Sequence, residues 1–195
     1  DKLSVQAGLF KEASYGNDTK IDDVNNITAR LTFSPINDGE KLLHLGVGFS
    51  TRNTSDSTYV VSARPENHLG TKLLDMELNN VTGMNLMGAE MAFVMGSFSA
   101  QGEYVMNSVD AMEDYTFSGY YGQVSYFLTG EKRKYKNSLA GFDRLKPKNN
   151  MKEGEGWGAV ELAARYSSMD LSDAHSGVLN DMTIGLNWYL NPCTR

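Results

Sequence analysis

Three histidines, one cysteine and a scatter of arginines are the residues of this 195-residue chain that could do chemistry. His44, His68 and His175 lack the spacing of metal ligands, and no HExxH, nucleophile-elbow or phosphate-loop motif occurs. Cys193 stands alone, which excludes an internal disulfide and a cysteine zinc cluster within one chain. The GEGWG stretch at Gly154 to Gly158 lacks the glycine-loop-to-helix pattern of a nucleotide site and reads as a turn. The N-x-[ST] triplets at Asn17, Asn26, Asn53 and Asn80 read as polar loop and strand residues rather than glycan acceptors. No catalytic residue, metal or cofactor is therefore assigned. What remains is a set of charged and polar side chains: Arg30, Arg52, Arg64, Arg165, His44, Gln101, Glu103 and Glu161.

Strands must position them. Val160, Leu162, Ala164 and Tyr166 alternate with Glu161, Ala163 and Arg165, and Met182, Ile184, Leu186, Trp188 and Leu190 alternate with Thr183, Gly185, Asn187 and Tyr189. Period-two alternation places one set on each face of a strand. The same pattern predicts strands near 3–11, 27–34, 43–52, 59–64, 87–95, 98–106 and 115–128, with a shorter one near 71–78. SPINDGEK, with Pro35, Asn37, Asp38 and Gly39, reads as a hairpin turn. The count comes to about ten strands, joined alternately by tight turns and longer polar loops, as in up-and-down outer-membrane barrels.

In every strand the second face carries the polar set, with Arg30, His44, Arg52, Arg64, Gln101, Glu103, Glu161, Arg165 and Asn187. Periodicity leaves two architectures open: a membrane barrel with its apolar face in lipid, and a soluble β-barrel with that face around an apolar ligand. Long uneven loops, glycines on the polar face and aromatic residues near strand ends (Tyr59, Phe98, Tyr104, Trp157, Tyr166, Trp188) lean toward lipid outside. No apolar run reaches the roughly 18 residues of a membrane helix, and the mean hydropathy of −0.40 suits a polar lumen. Nineteen glycines and four prolines suit an all-β chain with many turns.

Net charge is −6, yet eight of the 18 basic residues lie between Lys132 and Lys152 with Asp143 as the one acidic residue among them. Residues 129–156 lose the alternation and read as a basic, non-strand, solvated connection, on the periplasmic side by strand parity. A nucleic-acid patch is disfavoured, because aromatic interleaving is missing and the rest of the chain is acidic.

GAVELAARYSSMDL followed by GVLNDMTIGLNWYLNPCTR resembles the phosphate-selective porin O and P family of Gram-negative outer membranes. LTFSPINDGEKLLHLGVGFSTR, SARPENHLGTKLLDMEL, GSFSAQGEYV, GYYGQVSYFLTGEKRKYK and FDRLKPKNN carry the resemblance in order along nearly the whole chain. It implies an all-β, antiparallel up-and-down transmembrane β-barrel, with residues 1–195 supplying about ten strands of about sixteen, incomplete at both ends. It further implies a non-enzymatic channel for passive diffusion of small hydrophilic solutes, some members preferring anions. Expected partners are outer-membrane lipid and lipopolysaccharide, two further copies in a homotrimer, small anions or other solutes, and no nucleic acid. An incomplete barrel held by assembly machinery is the second functional reading, and a soluble barrel binding an apolar ligand the third. The NPCTR ending reads as a turn into a missing hairpin, leaving the strand that ends at Leu190 as an open edge. On the polar face Arg30, Arg52, Arg64 and Arg165 either set an anion preference or pair with Glu90, Glu103 and Glu161 and stiffen the wall.

Overall fold

The alternating stretches are strands throughout the computed structural model, which describes residues 2–11, 25–53, 58–65, 69–152 and 156–195. His68, Asn17 and Gly154 lie outside the described residues. In order the strands are β1 (Leu3–Lys11), β2 (Asn25–Asn37), β3 (Lys41–Asn53), β4 (Thr58–Ala63), β5 (Leu74–Asn79), β6 (Gly83–Met95), β7 (Phe98–Asp110), β8 (Tyr115–Phe127), β9 (Tyr135–Lys136), β10 (Gly141–Phe142), β11 (Ala159–Asp170) and β12 (Val178–Tyr189). Eight of them form one antiparallel sheet in the order β1-β2-β3-β6-β7-β8-β11-β12. Among the described residues no ladder joins β1 to β12, so this sheet is open, with those two strands at its edges.

Local chemistry sets the turns. Asp38 accepts hydrogen bonds from the backbone N–H groups of Lys41 (2.7 Å) and Glu40 (2.9 Å), and Gly39 takes φ +88°, which a side chain would resist. Those two N–H groups, Lys41 first, hold the Asp38 carboxyl below its ordinary pKa. Pro35 has no N–H to give a ladder, and the β2–β3 register shifts between Phe33 and Ile36 around it.

The two faces differ as the alternation requires. Val5 (70%) and Ile184 (74%) are exposed on the apolar face, whereas His44 (5%) and Glu161 (7%) are buried on the polar one. The usual inside and outside are thus exchanged. A contiguous bare apolar face of this kind marks contact with a membrane or another protein.

Three expectations are corrected. Among the described residues the wall has eight strands, not ten: β3 pairs directly with β6, and β4 and β5 form a separate hairpin folded onto the polar face. Alternating Leu74, Met76 and Leu78 on β5 pack with Val81, Val109, Phe117 and Leu171 in a small apolar core. The hairpin carries Tyr59 and Arg64 with it, so neither belongs to the wall. The Tyr59 hydroxyl accepts a hydrogen bond from Asn107 Nδ2 at 3.0 Å instead of standing in an aromatic girdle.

Second, Tyr104 and Tyr166 lie inside their strands. Tyr104 pairs with Tyr120, whose ring is 6.2 Å from that of Tyr166, and together they form one exposed row. Phe98 and Tyr126, paired with each other, belong to a second row six residues away along β7 and β8. Trp188 joins that end of the sheet, its Nε1–H donating to the Trp157 carbonyl at 2.6 Å. Six residues of strand span about 20 Å, comparable to the apolar band between aromatic girdles of outer-membrane barrels.

Third, the basic segment is not a free solvated linker. It leaves β8 and re-enters at β11, at the same end of the sheet as the turns at Asp38 and Gly96, and folds back over the polar face. Lys134, Lys136, Lys146, Lys148 and Lys152 stay exposed, but Glu131 and Ala140 are buried. Its exit is tied by the Val160 N–H to Thr129 Oγ1 (3.0 Å) and the Lys148 N–H to Glu131 Oε1 (3.1 Å). Side-chain hydrogen bonds do the docking, and they leave no periodic trace in the sequence.

Candidate functional site

Two clusters on the polar face gather the charged side chains. The first joins β2, β3, β6 and the inserted segment. Arg30 donates from Nε to Glu90 Oε1 at 3.1 Å, forms a second bond to it through Nη2, and reaches the Ala140 carbonyl at 3.2 Å. His44 Nε2 lies 2.9 Å from the same Glu90 oxygen, and its Nδ1 lies 2.8 Å from the Tyr135 hydroxyl. Ser34 Oγ donates to that hydroxyl at 3.2 Å. Gly46 faces Glu90 across the β3–β6 ladder, and a Cβ there would overlap the glutamate side chain. Tyr135 is thus the plug by which the segment is seated on the wall.

The second cluster is a relay across β7, β8 and β11. Arg133 donates from Nη1 to Gln101 Oε1 (2.5 Å), Gln101 Nε2 donates to the Tyr121 hydroxyl (2.8 Å), and that hydroxyl donates to Glu103 Oε1 (2.6 Å). Arg165 lies over the Tyr121 ring at 3.7 Å and donates to Gln123 Oε1 at 3.3 Å. Arg133 in turn lies over the Phe142 ring at 3.7 Å. Such stacking holds a guanidinium in place while leaving its charge intact. Nearby, Glu161 accepts from Asn187 Nδ2 (3.1 Å) and the Tyr189 hydroxyl (2.8 Å).

The eight candidate residues therefore separate. Arg30 and His44 meet at Glu90, Gln101, Glu103 and Arg165 meet at Tyr121, and Glu161 sits with β12 partners. Arg52 lies near the other end of β3, 3.4 Å from Ser50 Oγ, and Arg64 binds the Gly70 carbonyl at 2.9 Å on the hairpin. Arg30 has the expected carboxylate as its hydrogen-bond partner, and Arg165 lies over a ring and donates to an amide. Sequence reasoning put Gln123 with Ser125 on the polar face without making it a candidate, and missed Tyr121, Tyr135 and Arg133. Parity with Gln123 places Tyr121 on the same face, whereas nothing periodic marks the other two. Among the described residues no three His, Cys, Asp or Glu side chains converge on a metal-sized site.

An antiparallel sheet that bares its apolar face, seats two insertions on its polar face and lines that face with stacked arginines and carboxylates has the build of a porin wall. The phosphate-selective porin O and P family matches residues 1–195, and the chain belongs to that family of outer-membrane porins, which are not enzymes. It is similar to Porin O of Pseudomonas aeruginosa, 29% identical over 233 aligned positions that cover all of this chain and 51% of that protein. An uncharacterized protein of Caulobacter vibrioides is 29% identical over 188 positions, covering 87% of this chain and 36% of its own length. The chain thus spans about half, or less, of the length of these relatives.

Proposed function

We propose that this chain forms part of the wall of a bacterial outer-membrane channel through which small hydrophilic solutes diffuse passively. The observation that carries this reading is the placement of both insertions, β4–β5 and the described residues 129–152, on the polar face while the apolar face stays bare. In lipid, every strand edge needs a hydrogen-bonding partner, so the proposal includes further strands closing on β1 and β12 into a barrel of about sixteen. The eight candidate residues then line the lumen or its mouth. Three copies per assembly, contact with lipopolysaccharide, and passage through the outer-membrane assembly machinery belong to the same proposal.

Anion preference is its finer part. Arg133 and Arg165 bring positive charge to the relay, while the pairing of Arg30 with Glu90 removes one candidate from the balance. Planar-bilayer recordings of the intact protein in a salt gradient test both levels. Stepwise conductance with a reversal potential of anionic sign is expected; absence of conductance would sink the channel reading, and a cationic sign the anion preference.

A further inference from the structure

His44 is 5% exposed, yet both of its ring nitrogens have partners on other parts of the chain. Nε2 lies 2.9 Å from Glu90 Oε1 on β6, and Nδ1 lies 2.8 Å from the Tyr135 hydroxyl on the inserted segment. The Glu90 carboxylate, which also takes hydrogen bonds from Arg30 on β2, only accepts, so Nε2 carries a hydrogen. In neutral His44 the Nδ1 lone pair therefore accepts, and the Tyr135 hydroxyl donates to it while accepting from Ser34 Oγ at 3.2 Å. Every donor in this row has an acceptor. Protonation puts a second hydrogen on the ring, and Nδ1 then donates to Tyr135. One hydroxyl hydrogen loses its acceptor: that of Tyr135 or, where the two hydroxyls exchange roles, that of buried Ser34.

Resting on the channel reading, we propose that His44 is a proton-operated latch on the inserted segment: neutral His44 seats Tyr135, and protonated His44 loosens it over the lumen. The charged and titratable groups facing the imidazole are Arg30 from β2, Glu90 from β6, Glu103 from β7 and Tyr135 from the segment, with Arg133 behind the Phe142 ring. Glu103 stands directly opposite Glu90 on the β6–β7 ladder. Of these side-chain types histidine alone ordinarily changes charge between about pH 5 and 8. A cavity of about 140 Å³ beside the ring is large enough for water, at about 30 Å³ each, to bring the proton. The latch reaches beyond its own bond. The Tyr135 ring meets Phe142 edge-on at 6.0 Å, and Phe142 carries Arg133 at 3.7 Å. Release of Tyr135 thus loosens the ribbon that holds a guanidinium over the relay.

The test follows the intact protein in two ways as pH falls from about 8 to about 5. In lipid nanodiscs, protection of the Ala140 and Asp143 amides, which bond within the segment to the Asn137 (3.1 Å) and Lys134 (2.8 Å) carbonyls, is measured relative to their intrinsic exchange rates. A fall of about fivefold is expected, the change in population for one neutral hydrogen bond. In planar bilayers, brief closures should become more frequent by a similar factor, reversibly. His44→Gln is expected to flatten both pH profiles. Tyr135→Phe is expected to show at about pH 8 the low protection that the unaltered protein reaches at about pH 5. Unchanged protection in the unaltered protein overturns the proposal, as does a pH-dependent fall that persists in His44→Gln or, should that variant fail to insert, in Tyr135→Phe. Loss of protection with a steady current overturns the latch as a gate. A protein that does not conduct fails the channel reading, while exchange still decides whether His44 latches the segment.

Discussion

Gly46 lies directly opposite Glu90 on the β3–β6 ladder, and its missing side chain is the space that the glutamate occupies. Gly46→Ala is predicted to push Glu90 away from Arg30 and His44, whose bonds converge on one carboxylate oxygen. Hydrogen bonds to charged groups contribute about 1.5–3 kcal/mol each, so a loss of that order is expected. The midpoint of urea unfolding from lipid reports it, and an unchanged midpoint would show that the space is not needed.

Tyr135 seats the inserted segment. Tyr135→Phe removes its hydroxyl from both His44 and Ser34, at about 1 kcal/mol for each neutral bond. Amide hydrogen exchange around Asn137–Leu139 should accelerate several-fold, while exchange in β3 and β6 stays slow. Equal acceleration everywhere would mean that the wall, rather than the segment, depends on this contact.

Val124 stands exposed on the apolar face between the two aromatic rows of β8. Val124→Arg is expected to cost about 2–4 kcal/mol in a bilayer, the range for a cation at the midplane of a barrel wall. The same change at Gln123, one residue back and half-buried on the polar face, should cost less, at the loss of its hydrogen bond from Arg165. Comparable losses at both positions would argue against lipid on the Val124 side.

Acid should loosen the β2–β3 turn. The Asp38 carboxyl, held below its ordinary value by the Lys41 and Glu40 amides, favours the folded turn at every pH above the ordinary aspartate range. That contribution falls as pH drops below about 4 toward the lower folded pKa. Protection of the Glu40 and Lys41 amides, relative to their intrinsic exchange rates, should fall over that interval, and Asp38→Ala should remove this pH-dependent loss of protection.

Arg133 is the cation that the inserted segment delivers to the relay, fixed by Gln101 and the Phe142 ring. Arg133→Gln is predicted to shift the reversal potential toward cations, because Glu103 and Glu161 then weigh more in the local balance. An unchanged reversal potential would place the selectivity elsewhere.

Much of this was legible in the alternation, because a β backbone sends successive side chains to opposite faces. Parity alone put Gln101, Glu103 and Glu161 on the polar face with Arg30 and Arg165, and the structure keeps them there. Parity does not distinguish a wall strand from a hairpin folded against the wall, since both bury one face; Arg64 and Tyr59 were misplaced for that reason. Nor does it reach the described residues 129–152, whose seat on the wall is made by individual side chains such as Tyr135 and Arg133. The aromatic rows were half visible: the residue types were present, but their level came from strand register, which places Tyr104 beside Tyr120 rather than at a strand end.

The apolar core under the β4–β5 hairpin lies on the far side of the tyrosine row from the bare apolar band, against Val109, Phe117 and Leu171. Lipid gives apolar surfaces no reason to leave it for one another, but water does. In the proposed channel the hairpin is therefore held by the forces of a soluble domain on top of a wall held by those of a bilayer. Hydrophobic burial weakens on cooling, so chilling should loosen the hairpin from the wall while the ladder hydrogen bonds of the wall stay intact.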